Sequence, residues 1–240
     1  MYNPLELTGF KRHWLMKSSN IPSRFLGHEP ADIIEKTGIF STVIEEWLED
    51  VLAGKVIKSI GGLGITGVGL LLDGDPGLGK STHAVTTIME LIRRLPDDET
   101  TTRNIFQVSA DNFGPNFRPV YYMTYPEFLS RKKAMFDADP ETKARMFEEM
   151  EGFHGRSKED RLNVRVLVLD DLGKEYKGSG FNDASFDEIL RSRYDKALPT
   201  IVTTNVDRSK WAAQYGDAMG SFAHEAFHRV VIKGQDLRKG

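Results

Sequence analysis

The stretch from Gly67 to Thr82, GVGLLLDGDPGLGKST, constrains this chain more than any other, because Gly74 to Ser81 fit G-x-x-x-x-G-K-[ST]. An apolar run without helical period, Val68 to Leu72, leads straight into that loop and an amphipathic segment follows, so the strand, loop and helix that a P-loop requires are all expected. Gly74, Gly77 and Gly79 can adopt backbone angles closed to other residues. The loop of Gly74, Asp75, Pro76, Gly77, Leu78, Gly79, Lys80, Ser81 and Thr82 can then wrap the phosphates, with the N–H groups of all but Pro76 free to converge on phosphate oxygens at the positive end of the next helix. Lys80 would reach the β- and γ-phosphates and the Ser81 hydroxyl would ligate Mg²⁺, so ATP or ADP with Mg²⁺ is the expected cofactor set. The bland alternative is a Gly-rich turn with a chance Lys-Ser, and the flanking pattern speaks against it.

Composition narrows the rest. A chain of 240 residues with 40% hydrophobic and 28% charged residues can bury one substantial core, and one main domain is expected. The formal net charge of -3 argues against a surface that is basic all over, so any nucleic-acid contact must be regional. The absence of cysteine removes disulfides, thiol nucleophiles and thiolate metal sites and suits a reducing compartment. No long apolar run and no signal peptide is apparent, which points to a cytoplasmic protein without a membrane partner.

Along the chain, residues 1–20 read as a short N-terminal arm mixing Trp14 and Leu15 with basic residues, and either an amphipathic segment or a frayed end fits. IPSRFLGHEP reads as irregular chain. Val43, Ile44, Trp47, Leu48 and Val51 recur at helical spacing behind Ser41, and Ala84 to Leu95 mark one face of a helix that stops before Pro96. Asp97 to Pro119 reads as a loop with a short strand at Ile105 to Val108. Val120 to Thr124 reads as a strand, after which Thr124 and Glu127 form a capping box for a helix to about Phe136; Asp139 and Pro140 start another. Arg165 to Leu169 and Thr200 to Thr204 are continuous apolar or β-branched runs on either side of a helix from about Ala184 to Ala197. Alternating strands and helices predict an α/β fold with a mostly parallel, doubly wound sheet.

The chemistry sits where those runs stop. VRVLVLDDLG puts Asp170 and Asp171 at a strand's carboxyl end, where ligands bind in open α/β sheets, and the pair looks like a Walker B element. Asp170 would hold the Mg²⁺ shell and Asp171 would orient and deprotonate the attacking water; a plain acidic turn is the other reading. Thr203, Thr204 and Asn205 end the next run, where a polar side chain either bonds the γ-phosphate or the water or is ordinary turn chemistry. His224-Glu225-Ala226-Phe227-His228 is a literal H-E-x-x-H, but no suitably spaced third ligand follows, so it reads as a surface helix.

The ordered set IPSRF, P-loop, YYMTYPEFL, LVLDDLG, an Arg193-Tyr194 helix, LPTIVTTN and VIKGQDLR resembles the AAA+ ATPases of the bacterial and phage helicase-loader family, the DnaC and DnaI type, with the IstB transposition ATPases as close kin. The resemblance runs from about Ile21 to Arg238. It implies residues 21–240 as an AAA+ ATPase domain without a separate C-terminal lid, and residues 1–20 as a candidate helicase-contact arm. It also implies a hexameric DnaB-type replicative helicase and single-stranded DNA as partners, with self-assembly around the helicase. Phe136, Ser179 and Phe181 match positions that face single-stranded DNA, with core packing as the alternative for the two Phe residues. Lys133 precedes Phe136 and Lys177 precedes Ser179, so each aromatic has a cation close by in sequence. Matching back from KGQDLR puts Phe222 where such proteins carry an Arg finger, which implies weak turnover; Arg229 is the nearest Arg in that segment. An IstB-like transposition factor and a nucleotide-gated helicase partner with little turnover are the alternatives.

Overall fold

A computed structural model of the chain describes residues 7, 9–37, 40–57, 65–173 and 180–234. Helix α1 (Gly9–His13) continues into a π-helical turn over Trp14–Ser18, and α2 (Pro30–Thr37) and α3 (Thr42–Leu52) follow. Strand β1 (Gly69–Asp73) leads into α4 (Lys80–Arg94), then α5 (Glu99–Phe106), β2 (Val120–Thr124), α6 (Tyr125–Asp137) and α7 (Pro140–His154). Strand β3 (Val166–Leu172), α8 (Gly180–Asp195), β4 (Thr200–Thr204), α9 (Trp211–Tyr215), α10 (Asp217–Ala226) and β5 (Phe227–Val231) complete the described fold.

The five strands form one sheet in the order β2-β3-β4-β1-β5, and every neighbouring pair is parallel. Strand side chains alternate between faces, so each strand supplies two layers. Leu70, Leu72, Val120, Tyr122, Val166, Val168 and Ile201 pack on one face with α3 and α4. Leu71, Tyr121, Met123, Leu167, Leu169 and Val202 pack on the other with α6, α8 and α10. This is why the strands read as unbroken apolar runs, since a parallel sheet is covered on both sides. The arm is docked: Trp14 and Leu15 are buried, and the Trp14 indole donates to the Gly114 carbonyl at 3.0 Å. No helix among the described residues is long and apolar enough to cross a membrane.

Three local expectations change. Ile105 to Phe106 close helix α5 rather than forming a strand, because Asp98 caps the Thr101 N–H and buries the Phe106 side of a one-faced helix. Pro30 opens α2 where irregular chain was expected; a missing N–H costs nothing in a first turn, and Asp32 accepts from the Glu29 N–H. H-E-x-x-H is not one surface helix. His224 lies in the last turn of α10 and His228 on β5, so the two imidazoles do not share a helix face, and β5 adds a short edge strand.

At the amino ends of the strands the chain is stapled by Arg193, which is fully buried on α8. Its guanidinium donates to Thr200 Oγ1, to the carbonyls of Phe153 and Val164, and to those of Arg165 and Pro199, all between 2.7 and 3.1 Å. Five donors meet five acceptors without a carboxylate, so hydrogen bonding alone offsets the desolvation that pulls this guanidinium down to about 9. Arg193→Lys offers three donors to five buried acceptors and is expected to lose about 2 kcal/mol or more of stability. The check is the urea unfolding midpoint, which should fall; an unchanged midpoint would show that the staple is dispensable.

Candidate active site

The carboxyl ends of β3, β4 and β1 lie side by side, and the P-loop leaves the last of them. Gly79 holds the turn into α4 in the left-handed region, at φ 80°, and Gly74 runs so close to the chain after β5 that a Cβ there would stand 2.4 Å from the Ile232 carbonyl oxygen. Lys80 is buried rather than solvent-facing, and its ammonium donates to the carbonyls of Gly74 and Asp75 at 2.8 Å each. Leu78 turns its side chain into the core and contributes only backbone to the loop. Pro76, Gly77, Gly79, Lys80, Ser81 and Thr82 line one wall of a cavity of about 370 Å³.

Asp171 and Asn205 line the same cavity. Adjacent strand residues normally face opposite sides, yet Asp170 and Asp171 both serve this end of the sheet. The register between β3 and β4 shifts between Leu169 and Leu172, and Asp171 takes φ 63°, a left-handed angle that Asp tolerates better than most side chains. Asp170 is buried, and three hydroxyls converge on it. Ser81 donates to Oδ1 at 2.8 Å, Thr203 donates to the same oxygen, and Tyr122 donates to Oδ2 at 2.7 Å. Thr203 Oγ1 in turn accepts from the Asp171 N–H at 3.0 Å, which locks the bulge. Burial, and after it the Asp170 charge, push the Tyr122 phenol up, so it remains a donor.

Other expected residues fall elsewhere. Arg229 lies on β5 with its guanidinium on the buried Asp73 and on Asp207 of the same chain. Ser209, through its hydroxyl and N–H, and then Arg229 hold the Asp207 carboxyl down at about 2. Phe222 packs in the core between α10 and α8, against Tyr194 and under the Arg191 guanidinium. Phe136 is 63% exposed and so does not pack in the core, whereas Phe181 is partly buried. The two rings meet edge to face at 6.2 Å, with the Lys132 and Lys133 ammoniums 5.6 and 5.7 Å from the Phe181 ring. Ser179 and Lys177 lie outside the described residues.

Three residues of the site were missed in the sequence. Tyr122 reads as a core strand residue until β2 is known to lie beside β3, and Arg24 and Phe25 of IPSRF line the nucleotide-sized cavity from a segment far away in sequence. Asp73 carried a usable signal, since an acid that ends an apolar run needs a buried partner.

The architecture has clear relatives among solved structures. DnaI is 21% identical with a TM-score of 0.57, over 94% of this chain and 98% of that one. The DnaC helicase loader is 21% identical with a TM-score of 0.51, over 88% of this chain and all of that one. DnaA bound to AMPPCP and single-stranded DNA is 13% identical with a TM-score of 0.52, over 90% of this chain and 52% of that one. This chain has the AAA+ P-loop fold. No protein-family model and no curated protein matches the sequence, so the likeness is one of fold.

The hydroxyl cluster around Asp170 can be tested apart from any activity. Thr203→Val removes one donor to a buried carboxylate and the acceptor of the Asp171 N–H, and is expected to cost about 1–3 kcal/mol, while Thr203→Ser should retain most of it. Equal urea midpoints for wild type and the Val variant would count against the network.

Proposed function

We propose that this chain is an ATP-dependent helicase loader that binds a hexameric DnaB-type replicative helicase and single-stranded DNA at replication initiation. The observation that carries the reading is the Ser81 hydroxyl on Asp170 beside the P-loop, within a fold that spans DnaI over nearly its whole length. Ser81 Oγ and Asp170 Oδ1 are hard oxygen donors beside a helix N-terminus, the sparse set that suits Mg²⁺ when phosphates supply further oxygens. When bound, the ion neutralises charge on the β- and γ-phosphates. Lys80 and the loop N–H groups hold the phosphates, Asp171 accepts the proton of the attacking water, and Asn205 orients that water from the same cavity. Residues 21–240 act as the ATPase domain. Residues 1–20 contribute to helicase contact, copies assemble around the helicase, and the setting is the cytoplasm of a bacterial cell, with a host or phage gene.

Phe136, Phe181 and Lys133, with Ser179 and Lys177 nearby in sequence, form the proposed DNA contact. Support for it comes from an exposed aromatic with a second ring and two ammoniums around it, the combination that stacks bases and attracts phosphates. A reading with little turnover has its own support. Arg229 is occupied by Asp73 and Asp207, and Phe222 is buried, so neither offers a free guanidinium to a neighbouring subunit.

Lys80→Ala is expected to lose ATP binding, and Asp171→Asn to keep binding while hydrolysis drops roughly 10²- to 10⁴-fold. Calorimetry and phosphate release decide; equal turnover by the Asn variant would remove Asp171 as the base. Co-purification with a hexameric helicase in an ATP-dependent manner is the test of loading, and its failure would reject that role. Phe136→Ala is expected to cost about 1–3 kcal/mol of single-strand affinity with an unchanged melting temperature, because the ring is exposed. A fall in stability without a fall in affinity would assign the ring to packing.

A further inference from the structure

The outer side of edge strand β2 carries a basic groove whose cations, Lys17, Arg24, Arg118 and Arg161, are not those beside the Phe136 and Phe181 rings. It consists of two clefts of about 440 and 500 Å³ that share Lys17 and Asn20 in their walls. The first is walled by His13, Lys17, Arg118 and Arg161, with Ser18, Asn20 and Asn116 between them; Arg161 also pairs with Glu159, and Arg118 stands 3.7 Å from Glu149. The second leads along Tyr122 to Arg24 and holds one acid, Glu127, which is taken up by Arg131 at 2.7 Å. Arg24 also lines the nucleotide cavity, so the groove ends where the P-loop site begins. Two buried donors of residues on its wall, Ser18 Oγ and Arg118 Nη1, have no hydrogen-bond partner among the described residues. Donors of this kind are costly unless an acceptor reaches them. In a chain with net charge -3, this concentration of cations in one concave strip is a local feature, as a regional anion contact requires.

We propose that this groove is a second contact track for single-stranded DNA, gripping the phosphodiester backbone rather than the bases. An acidic peptide is the less favoured occupant, because the edge hydrogen bonds an extended peptide would use are closed. The Tyr122 N–H donates to the Ser19 carbonyl at 2.9 Å, and Asn20 Nδ2 donates to the Tyr122 carbonyl at 2.9 Å. What the groove offers is guanidinium, ammonium, amide and hydroxyl donors, which suit phosphate oxygens. The inference rests on the reading of this chain as a single-strand binder and adds a track that the aromatic pair does not supply.

The test uses the full chain, a fluorescent 20-nucleotide oligothymidylate and anisotropy titrations across a salt series. Lys17 and Arg161 are exposed and lie outside the nucleotide machinery, so Lys17→Ala/Arg161→Ala leaves the fold and ATP binding unchanged. Losing two phosphate contacts lowers the slope of log K against log salt by about 1.4, and with convergence near 1 M salt this is roughly a 25-fold loss at about 0.1 M. Lys17→Ala alone lowers the slope by about 0.7 and serves if the double variant is unstable. Phe136→Ala in the same assay weakens binding at every salt concentration with the slope retained. If Phe136→Ala weakens binding and the groove variant leaves both affinity and slope unchanged, the groove proposal alone is overturned; absence of any oligonucleotide binding by wild type overturns both. A 20-residue polyglutamate that displaces the oligonucleotide from wild type, but not from what the groove variant still binds, would assign the groove to acidic protein segments and overturn it as well.

Discussion

A buried carboxylate held by three hydroxyls organises this protein. Asp170 is held by hydroxyls from α4, β4 and β2, so the P-loop helix, the strand next to the P-loop strand and the sheet edge all converge on one side chain. Such an arrangement is stable only if the carboxylate's lone pairs are satisfied, because an unpaired charge at that depth would cost more than most single interactions return. Neutral hydroxyls satisfy its lone pairs without adding positive charge of their own. That is the condition under which a divalent cation can later share it. Tyr122 and Thr203 are therefore as much part of this site as Ser81.

The two ends of the sheet use opposite solutions to the same problem. At the carboxyl ends a buried anion gathers hydroxyl donors; at the amino ends a buried cation, Arg193, gathers carbonyl acceptors. The amino-end staple ties α7, α8 and the entries to β3 and β4 into one rigid base. Strain can then be held at the other end, where Asp171 sits in a left-handed conformation within a bulge. A non-Gly residue at such an angle costs of order 1–3 kcal/mol and persists only when its surroundings determine it. Here the Thr203 hydroxyl and the flanking strand pairs do so, and both consecutive acids serve one end of the sheet.

Charge on the remaining faces is largely spoken for within the chain. Arg229 closes a bridge between the end of β1 and the turn after β4, through Asp73 and Asp207, so it ties loop to strand. Arg131 is shared by Glu127 and Glu149, which leaves Lys132 and Lys133 as the cations beside the Phe136 and Phe181 rings, with Lys132 also bonded to Glu188. Along the β2 edge Arg118 touches Glu149 at 3.7 Å, and Arg161 pairs with Glu159. Of these two edge cations, Arg118 has the looser internal pairing and Arg161 the close one.

The sequence by itself determined the layers and the order of parts. Runs such as Leu70 to Leu72 and Val166 to Leu169 are apolar on both faces, and only a sheet covered on both sides uses them so; the loop Gly74 to Ser81 and the acids at 170 and 171 mark its binding end. Periodicity also placed α4, and the caps Thr124 and Asp139 placed the starts of α6 and α7. It failed for α5 and β5, where short segments carry too few residues to show a period, and the helix-like run HEAFH is divided by edge-strand pairing with β1. What only the tertiary structure decided is which side chains meet. Tyr122 reaches Asp170 because β2 lies beside β3, Arg24 reaches the cavity because the arm folds back, and Arg229 reaches Asp73 because β5 pairs with β1. Strand order is a global minimum of packing and loop closure, so local patterns that specify each strand leave its neighbour open.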